Sequence, residues 1–311
     1  MSDDMNMVNT MAVEGNQSPQ AGRVDRWTQR GAGAGVLPQS GAGDCACGGA
    51  SSAGATPSYV YALGRIQPRF PTPGIEKEFA QLVGRSDVSG LTDSQAMHAV
   101  LSKRANRYLA RRMCWVFSVE GLDTYLLTPR DPADLDLLVE SLRAGPRPTD
   151  VDVVLGVRGG IAPPEACNGL QVPIVAFDAI YSFDVDTLLK SIPRPESIPA
   201  DKFVAAAEEL FLRLMQLADN AGATDDHRAL NYLAVRYSAI YAMSAEAFGR
   251  NATLASVDVR PSRLGAPRTI VDVIFTFVNR LTDVEEKLFV RVDVTEEFPF
   301  LVTKISPYYD R

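Results

Sequence analysis

The sequence is poor in the residues that most often carry chemistry, with only two histidines and four cysteines among its 311 residues. Its longest apolar stretch, residues 229–248, is interrupted by Arg236 and Glu246, so we predict no membrane-spanning helix. The first ten residues, MSDDMNMVNT, lack the basic and apolar regions of a secretory signal, and we expect a cytoplasmic protein. A formal charge of -7 argues against nonspecific binding of nucleic acid.

Several catalytic and nucleotide-binding motifs are also missing. The chain has no Walker A sequence, no GxGxxG after a strand, no HExxH and no GxSxG. The segment GVRGG lacks the glycine–lysine ending that grips phosphates, so we do not expect nucleotide binding or any cofactor.

Residues 1–56 form a Gly-, Ala- and Ser-rich tail with few large apolar side chains, which predicts disorder because little surface could be buried. The tail holds Cys45 and Cys47 as C-x-C, a weak zinc signal without a second ligand pair, and a flexible tail with exposed thiols is the alternative. Four cysteines are too few for a disulfide scaffold. Cys114 lies in the apolar run RMCWVF, so we expect it to be a buried, inert thiol.

Secondary-structure patterns fill the rest of the chain. In the first half we predict a strand over 59–66, a helix from residue 75, a helix over 93–113 capped by Thr92 or Asp93, and a hairpin from CWVFSVEG and TYLLTP. Asp131–Pro132 should open a helix that runs to Arg143. After the Pro-rich piece IPRPESIP, helices over 199–220 and 225–250 should form an antiparallel αα-hairpin.

Residues 254–305 alternate apolar and polar side chains in four short runs, which predicts an antiparallel meander with one buried face. The helix hairpin is the natural cover for that face. We therefore predict an α+β fold of two packed subdomains, a mixed α/β part over 57–197 and a part over 198–311 made of the hairpin and the sheet.

The stretch from Val151 to Asp184 is the most suggestive of a site. Two Val- and Ile-rich runs read as buried strands, and between them lies a stiff segment with two prolines and an Asn-Gly turn. This segment holds Arg158, Glu165, Cys167 and Asn168. Cys167 could be a nucleophile if a neighbouring cation lowered its pKa, or could simply fill a small buried space. We identify no base partner for it.

A set of basic residues could receive an acidic peptide or a C-terminal carboxylate, although a solvated helix face is the simpler reading. The set comprises Lys103, Arg104, Arg107 and Arg111, with Arg65, Arg69 and Arg85 as further candidates.

Three aspartates, Asp258, Asp272 and Asp293, each lie in a V-D-V run on a predicted strand. If the strands were in register, they could bind a divalent cation. The alternative is that they mark the outward face of the sheet, with Arg260 and Arg291 as cross-strand partners.

Four long segments of the chain resemble one family. They are YVYALGRIQPRFPTPGIEKEFAQ, NRYLARRMCW, GGIAPPEACNGLQVPIVAFDAIYSFD and FVRVDVTEEFPFLVTKISPYYD. The sequence from residue 57 onward is similar to the C-terminal domain of unknown function of PatG and PatA, the cyanobactin maturation proteins that process ribosomally made peptides. CACGG resembles a Cys-pair segment that often precedes this domain.

The resemblance implies a role near peptide maturation and transfers no catalytic residues, because the family's domain has no assigned reaction. We do not expect the family's subtilisin-like protease here, since only His98 and His227 are present and no Ser-His-Asp pattern is recognisable. Our leading hypothesis is a non-catalytic accessory protein that binds a precursor peptide or a peptide-maturation enzyme. The alternatives are a peptide-modifying enzyme that uses the loop around Cys167 and a structural domain that forms homo-oligomers through exposed strands.

Overall fold

A computed structural model describes residues 57–84, 91–196, 198–215, 220–264 and 267–309. The predicted tail with Cys45 and Cys47, and also Arg85, lie outside the described residues. Within the described ranges the chain forms nine strands and eight α-helices, which confirms the α+β class.

The first five strands form a closed, barrel-like sheet in the order β1-β2-β3-β5-β4. Their bounds are β1 (Tyr59–Arg69), β2 (Cys114–Val119), β3 (Leu122–Pro129), β4 (Asp150–Ile161) and β5 (Pro173–Asp184). β3 pairs with β5 in parallel, and the other neighbours are antiparallel. The predicted hairpin is β2–β3, which turns at Glu120 and Gly121, both with positive φ. The two predicted strands of the Val151–Asp184 stretch are β4 and β5.

Helices accompany both halves of the chain. They are α1 (Pro73–Gly84), α2 (Asp93–Leu101), α3 (Arg107–Ala110), α4 (Leu135–Ser141), α5 (Val185–Ser191), α6 (Ala200–Met215), α7 (Asp225–Arg236) and α8 (Ala239–Gly249). Thr92 caps α2 with a capping box to Gln95, as its sequence predicts. Asp131 accepts a hydrogen bond from the Ala133 backbone N–H at the turn that precedes α4.

Two predicted long helices are each broken, and both predictions were wrong in this respect. The helix predicted over 93–113 ends with α2, where the side-chain amide of Asn106 donates to the backbone oxygen of Val100 at 2.8 Å and satisfies a terminal carbonyl. The helix predicted over 225–250 is divided into α7 and α8 by Tyr237, whose backbone leaves the helical region. The predicted two-helix hairpin is therefore a three-helix unit, in which α6 packs against both α7 and α8.

The predicted meander is confirmed as an antiparallel sheet in the order β6-β7-β8-β9. Its strands are β6 (Ala252–Pro261), β7 (Ile270–Asn279), β8 (Glu285–Asp293) and β9 (Phe300–Pro307). The alternating residues Val273, Phe275, Val290 and Val292 are fully buried. Asp272 stands opposite Arg291, whose Nε lies 3.0 Å from its carboxylate, so the cross-strand reading holds for this pair. Asp293 differs, since it is buried and paired with Arg268 at 2.6 Å.

Apolar packing continues across the predicted boundary at residue 197. One cluster joins Leu63 and Leu155 of the barrel to Phe211 of α6 and Phe275 of the second sheet. A second cluster packs other side chains of the barrel against α1–α4. The division into two subdomains at residue 197 stays a prediction.

A cluster of charged side chains links α7 and the β8–β9 connection to the barrel. Buried Arg228 donates to the backbone oxygens of Val294 and Glu296. Glu297 and Asp178 share a hydrogen bond, and both lie within ion-pair distance of Arg130. Burial, the hydrogen bond to Asp178 and the nearby carboxylate raise the pKa of Glu297 to about 7, so its protonated form is the natural donor in this pair.

Candidate functional site

A cleft of about 730 Å³ opens where the pairing of β1 with β4 ends and its pairing with β2 begins. Residues 59–64 of β1 pair with β4, and residues 65–69 pair with β2. The ends of β2 and β4 line the cleft together with the β2–β3 turn, the start of α5 and the last turns of α6. A volume of this size lies in the range of small-ligand and peptide side-chain pockets, roughly 300–1,000 Å³.

Gly64 is required because the backbones of β1 and β2 approach closely there. A Cβ atom on Gly64 would lie 2.2 Å from the backbone oxygen of Ser118, well inside van der Waals contact. Only glycine therefore lets β1 run close enough to β2 to pair with it.

A buried carboxylate satisfies the backbone after β1 has left β4. The Ile66 N–H donates to Asp152 Oδ2 at 2.8 Å, and the Ser182 hydroxyl donates to Oδ1. Burial raises the pKa of Asp152, while these hydrogen bonds act to lower it. The side chain thus replaces a missing ladder bond where β1 runs beyond the end of its pairing with β4.

The wall formed by α5 and α6 is apolar. Val185, Phe211, Leu212 and Met215 face Leu63 and Val151 across the opening, and Leu212 remains 54% exposed. A leucine exposed at a concave surface is a natural contact for a ligand side chain, because covering it removes apolar area from water. The entry to α5 is fixed by Asp184, which accepts hydrogen bonds from the Thr149 and Thr187 hydroxyls and from the Thr187 N–H. These bonds lower the pKa of Asp184 to about 2.

The polar rim of the cleft is mainly acidic. Glu120, Asp186 and Glu208 line it, and within the described residues no ion pair neutralises them. Arg65 is the basic member, and its guanidinium donates to the backbone oxygen of Pro148. Asp150 also lines the cleft, but it pairs with Arg143 at 3.2 Å. The rim therefore favours a ligand that carries positive charge beside an apolar group.

The predicted basic set is divided among three places. Arg65 lies at the cleft, while Arg69 makes a two-pronged pair with Asp123, with both N–O distances at 2.6 Å. Arg104, Arg107 and Arg111 line a separate open groove of about 700 Å³ with Tyr108 and Asp136. In that groove Arg107 pairs with Asp136 at 3.3 Å. The last three arginines thus share one surface, as the sequence suggested, but Arg65 and Arg69 do not join them.

The chemistry of the loop between β4 and β5 differs from what the sequence suggested. Cys167 is buried and forms a disulfide with Cys114, so the expectation of an inert free thiol at Cys114 was wrong. Arg158, Glu165 and Asn168 are exposed, and Asn168 begins the predicted tight turn with a φ of 46°. A cysteine in a disulfide is not a thiolate, so the nucleophile hypothesis for Cys167 applies only to a reduced form.

Metal binding finds no support within the described ranges. No group of three or more His, Cys, Asp or Glu side chains there is arranged to hold a metal ion. Asp258 and Asp293 are drawn into other contacts, with the Ser256 hydroxyl and with Arg268 respectively. None of the helices in the described part of the chain is both long and apolar enough to cross a membrane.

Sequence reasoning missed most of the cleft. The carboxylates Glu120, Asp186 and Glu208 come from three separate elements, and only the folded chain brings them to one rim. The sequence did contain a signal for Leu212 and Met215. They are apolar residues of α6 that fall outside its buried stripe of Phe203, Ala207, Leu210 and Leu214, which indicates a surface that could contact a ligand.

Comparison with known proteins places this architecture in a family. A model described as PatG Domain matches residues 59–249, and a model described as PatG C-terminal matches residues 197–308. A solved structure titled "PatG Domain of Unknown Function" is 21% identical and superposes with a TM-score of 0.67, covering 81% of this chain and 99% of that one. No curated protein sequence matches the chain.

The chain therefore belongs to the PatG domain family. Its fold is that of the PatG domain of unknown function. The resemblance seen in the sequence is confirmed at the level of family and fold.

Proposed function

We propose that this chain is a non-catalytic accessory protein of cyanobactin-like peptide maturation that binds a precursor peptide in the cleft beside Gly64. Its membership of the PatG domain family supports the pathway. The observation that carries the binding role is the cleft itself, which combines an apolar wall with exposed Leu212 and an acidic rim that no ion pair among the described residues neutralises.

The chemistry of the cleft specifies the kind of segment it would take. Leu212, Phe211 and Met215 would bury an apolar side chain of the peptide, and covering one leucine-sized group stabilises a complex by about 1.5–3 kcal/mol. Glu208 and Asp186 would attract a lysine, an arginine or a free amino terminus next to it. The ligand is therefore a short segment in which a large apolar residue adjoins a positive charge.

The position of the cleft at strand ends suits an extended segment. The cleft is lined by strand ends and by the β2–β3 turn, where β1 and β4 separate, rather than by the middle of a fully paired sheet. Extended peptides commonly add their hydrogen bonds to strand edges of this kind, while pockets beside the strand select the side chains.

The direct test is titration of fluorescently labelled precursor peptides, and of the maturation enzymes from the same gene neighbourhood, with the full chain. Leu212→Gln should weaken peptide binding at least about tenfold, because it removes the apolar contact. Leu281→Gln is the matched control, since Leu281 is 79% exposed and does not line the cleft. Failure of every precursor peptide and enzyme to bind, or an equal loss in both variants, would reject the proposal.

A further inference from the structure

The outer face of the second sheet carries a groove of about 630 Å³. Unlike the acidic cleft, it is lined mainly by arginine and aromatic side chains. Its lining comes from the ends of β6, β8 and β9 and from β7 between them. Its charged members are Arg260, Arg263, Arg291 and Asp272. Its aromatic members are Phe289, Tyr308 and Tyr309.

Positive charge in the groove exceeds what the fold neutralises. Asp272 stands in register between Arg260 of β6 and Arg291 of β8, and its carboxylate is bonded by Arg291 Nε at 3.0 Å. Arg260 and Arg263 are exposed, and no ion pair to either is found in the described part of the chain. Asp258 accepts a hydrogen bond from Ser256 and does not line the groove. Two guanidinium groups are thus left to face solvent at one concave surface.

Aromatic rings stand beside these guanidinium groups. Phe289 lies under Arg291, with 4.7 Å from the guanidinium carbon to the ring centroid. Tyr308 also contacts Phe289, in an edge-on arrangement with ring centroids 5.6 Å apart. Tyr309 is 79% exposed at the groove. A wall of packed rings beside free guanidinium groups suits a partner that has both carboxylates and an aromatic or other flat side chain.

We propose that this groove binds an acidic peptide segment that carries an aromatic residue, with Arg260 and Arg263 pairing with its carboxylates. Guanidinium groups bind carboxylates through two parallel hydrogen bonds, which a lysine could not reproduce. The aromatic side chain of the segment would lie against Tyr308 and Tyr309. This inference is independent of the cleft, whose acidic rim would repel the same ligand.

The small extent of the positive surface favours a peptide over nucleic acid as the occupant. Nucleic acid needs an extended run of positive charge to release its counterions, whereas the chain as a whole has a formal charge of -7. The groove offers positive charge over one short surface, which is enough for a few carboxylates of a peptide.

The experiment measures fluorescence anisotropy of a labelled acidic peptide containing tyrosine, titrated with the full chain. The comparison peptide has Asn and Gln in place of Asp and Glu. The acidic peptide should bind more tightly, and R260Q/R263Q should weaken it at least about tenfold, because two charge-assisted contacts are lost. R213Q/R280Q removes the same charge from exposed arginines outside the groove and should leave binding unchanged.

Each other outcome overturns the proposal. Equal binding of the acidic and amide peptides, or an equal loss in the control variant, would show that the groove does not recognise carboxylates. Displacement by inorganic phosphate as effectively as by unlabelled peptide would identify a simple anion site. Tighter binding of a single-stranded RNA oligonucleotide, lost in R260Q/R263Q, would assign the groove to nucleic acid.

Discussion

Reduction of the Cys114–Cys167 disulfide should destabilise the fold by a calculable amount. The bond joins residues 53 apart in sequence and links β2 to the β4–β5 loop. In the chain-entropy treatment, a cross-link that closes a loop of this length disfavours the unfolded state by about 4 kcal/mol. For a urea dependence on the order of 2–3 kcal/mol per molar, the unfolding midpoint should fall by roughly 1–2 M on reduction.

The assay is urea unfolding followed by circular dichroism, with and without a phosphine reductant. Alkylation of the denatured protein and intact mass would count the thiols in each sample. The double variant C114A/C167A should unfold at lower urea than the oxidised protein and should not respond to reductant. Because Cys45 and Cys47 remain in that variant, any response to reductant that it still shows would come from these two residues.

Two results would refute this reasoning. One is a reduced sample in which both Cys114 and Cys167 are alkylated yet the unfolding midpoint is unchanged. The other is a double variant that keeps the full response to reductant, which would assign the effect to Cys45 and Cys47.

Two further predictions concern single residues. The pKa of Glu297 is raised to about 7, so the folded state binds more protons than the unfolded state between about pH 4.5 and pH 7. Stability should therefore fall as pH rises across this window, by on the order of 2 kcal/mol, and level off above it. Glu297→Gln, which keeps a donor for Asp178, should reduce this loss. The assay compares the unfolding midpoints of the two proteins at pH 5 and pH 8. An equal drop in both proteins would show that Glu297 is not the group responsible. Gly222→Ala should cost about 2 kcal/mol or more, because Gly222 has a φ of +72° and a Cβ there would lie 2.3 Å from the Tyr61 oxygen. Gly145→Ala, with nothing within 4 Å, is its control, and equal thermal stability of the two variants would contradict the explanation.

Local patterns in the sequence predicted most of the secondary structure. The alternation in TIVDVIFTF and KLFVRVDVT placed the buried face of the second sheet, and the flanking prolines and glycines placed β4 and β5. Such patterns succeed because burial of one face has a period that belongs to each element type.

Features that depend on one particular side-chain hydrogen bond or on distant strand pairing were not predictable in this way. The break after α2 depends on a side-chain amide at Asn106 that competes for a helix carbonyl, and the same residue could have continued the helix. The closure of β3 against β5 in parallel, which gives the barrel, has no signature in either strand alone.

The candidate site was the least predictable part. Arg65 was chosen for its charge among several arginines, yet the cleft it lines depends on where the pairing of β1 with β4 ends and its pairing with β2 begins. Cys167 was chosen for its chemistry, and its pairing with Cys114 depends on a register between β2 and a loop that spacing does not reveal. Residue type suggested candidates, but only the topology decided which of them share a surface.

The most direct test of the peptide-binding account is hydrogen exchange of the full chain with and without a saturating precursor peptide. The account predicts slowed exchange in the C-terminal turns of α6 around Leu212 and in the β2–β3 turn around Glu120, because both line the cleft. Saturated binding with no change in either segment would contradict it, and protection confined to other surfaces would move the site elsewhere.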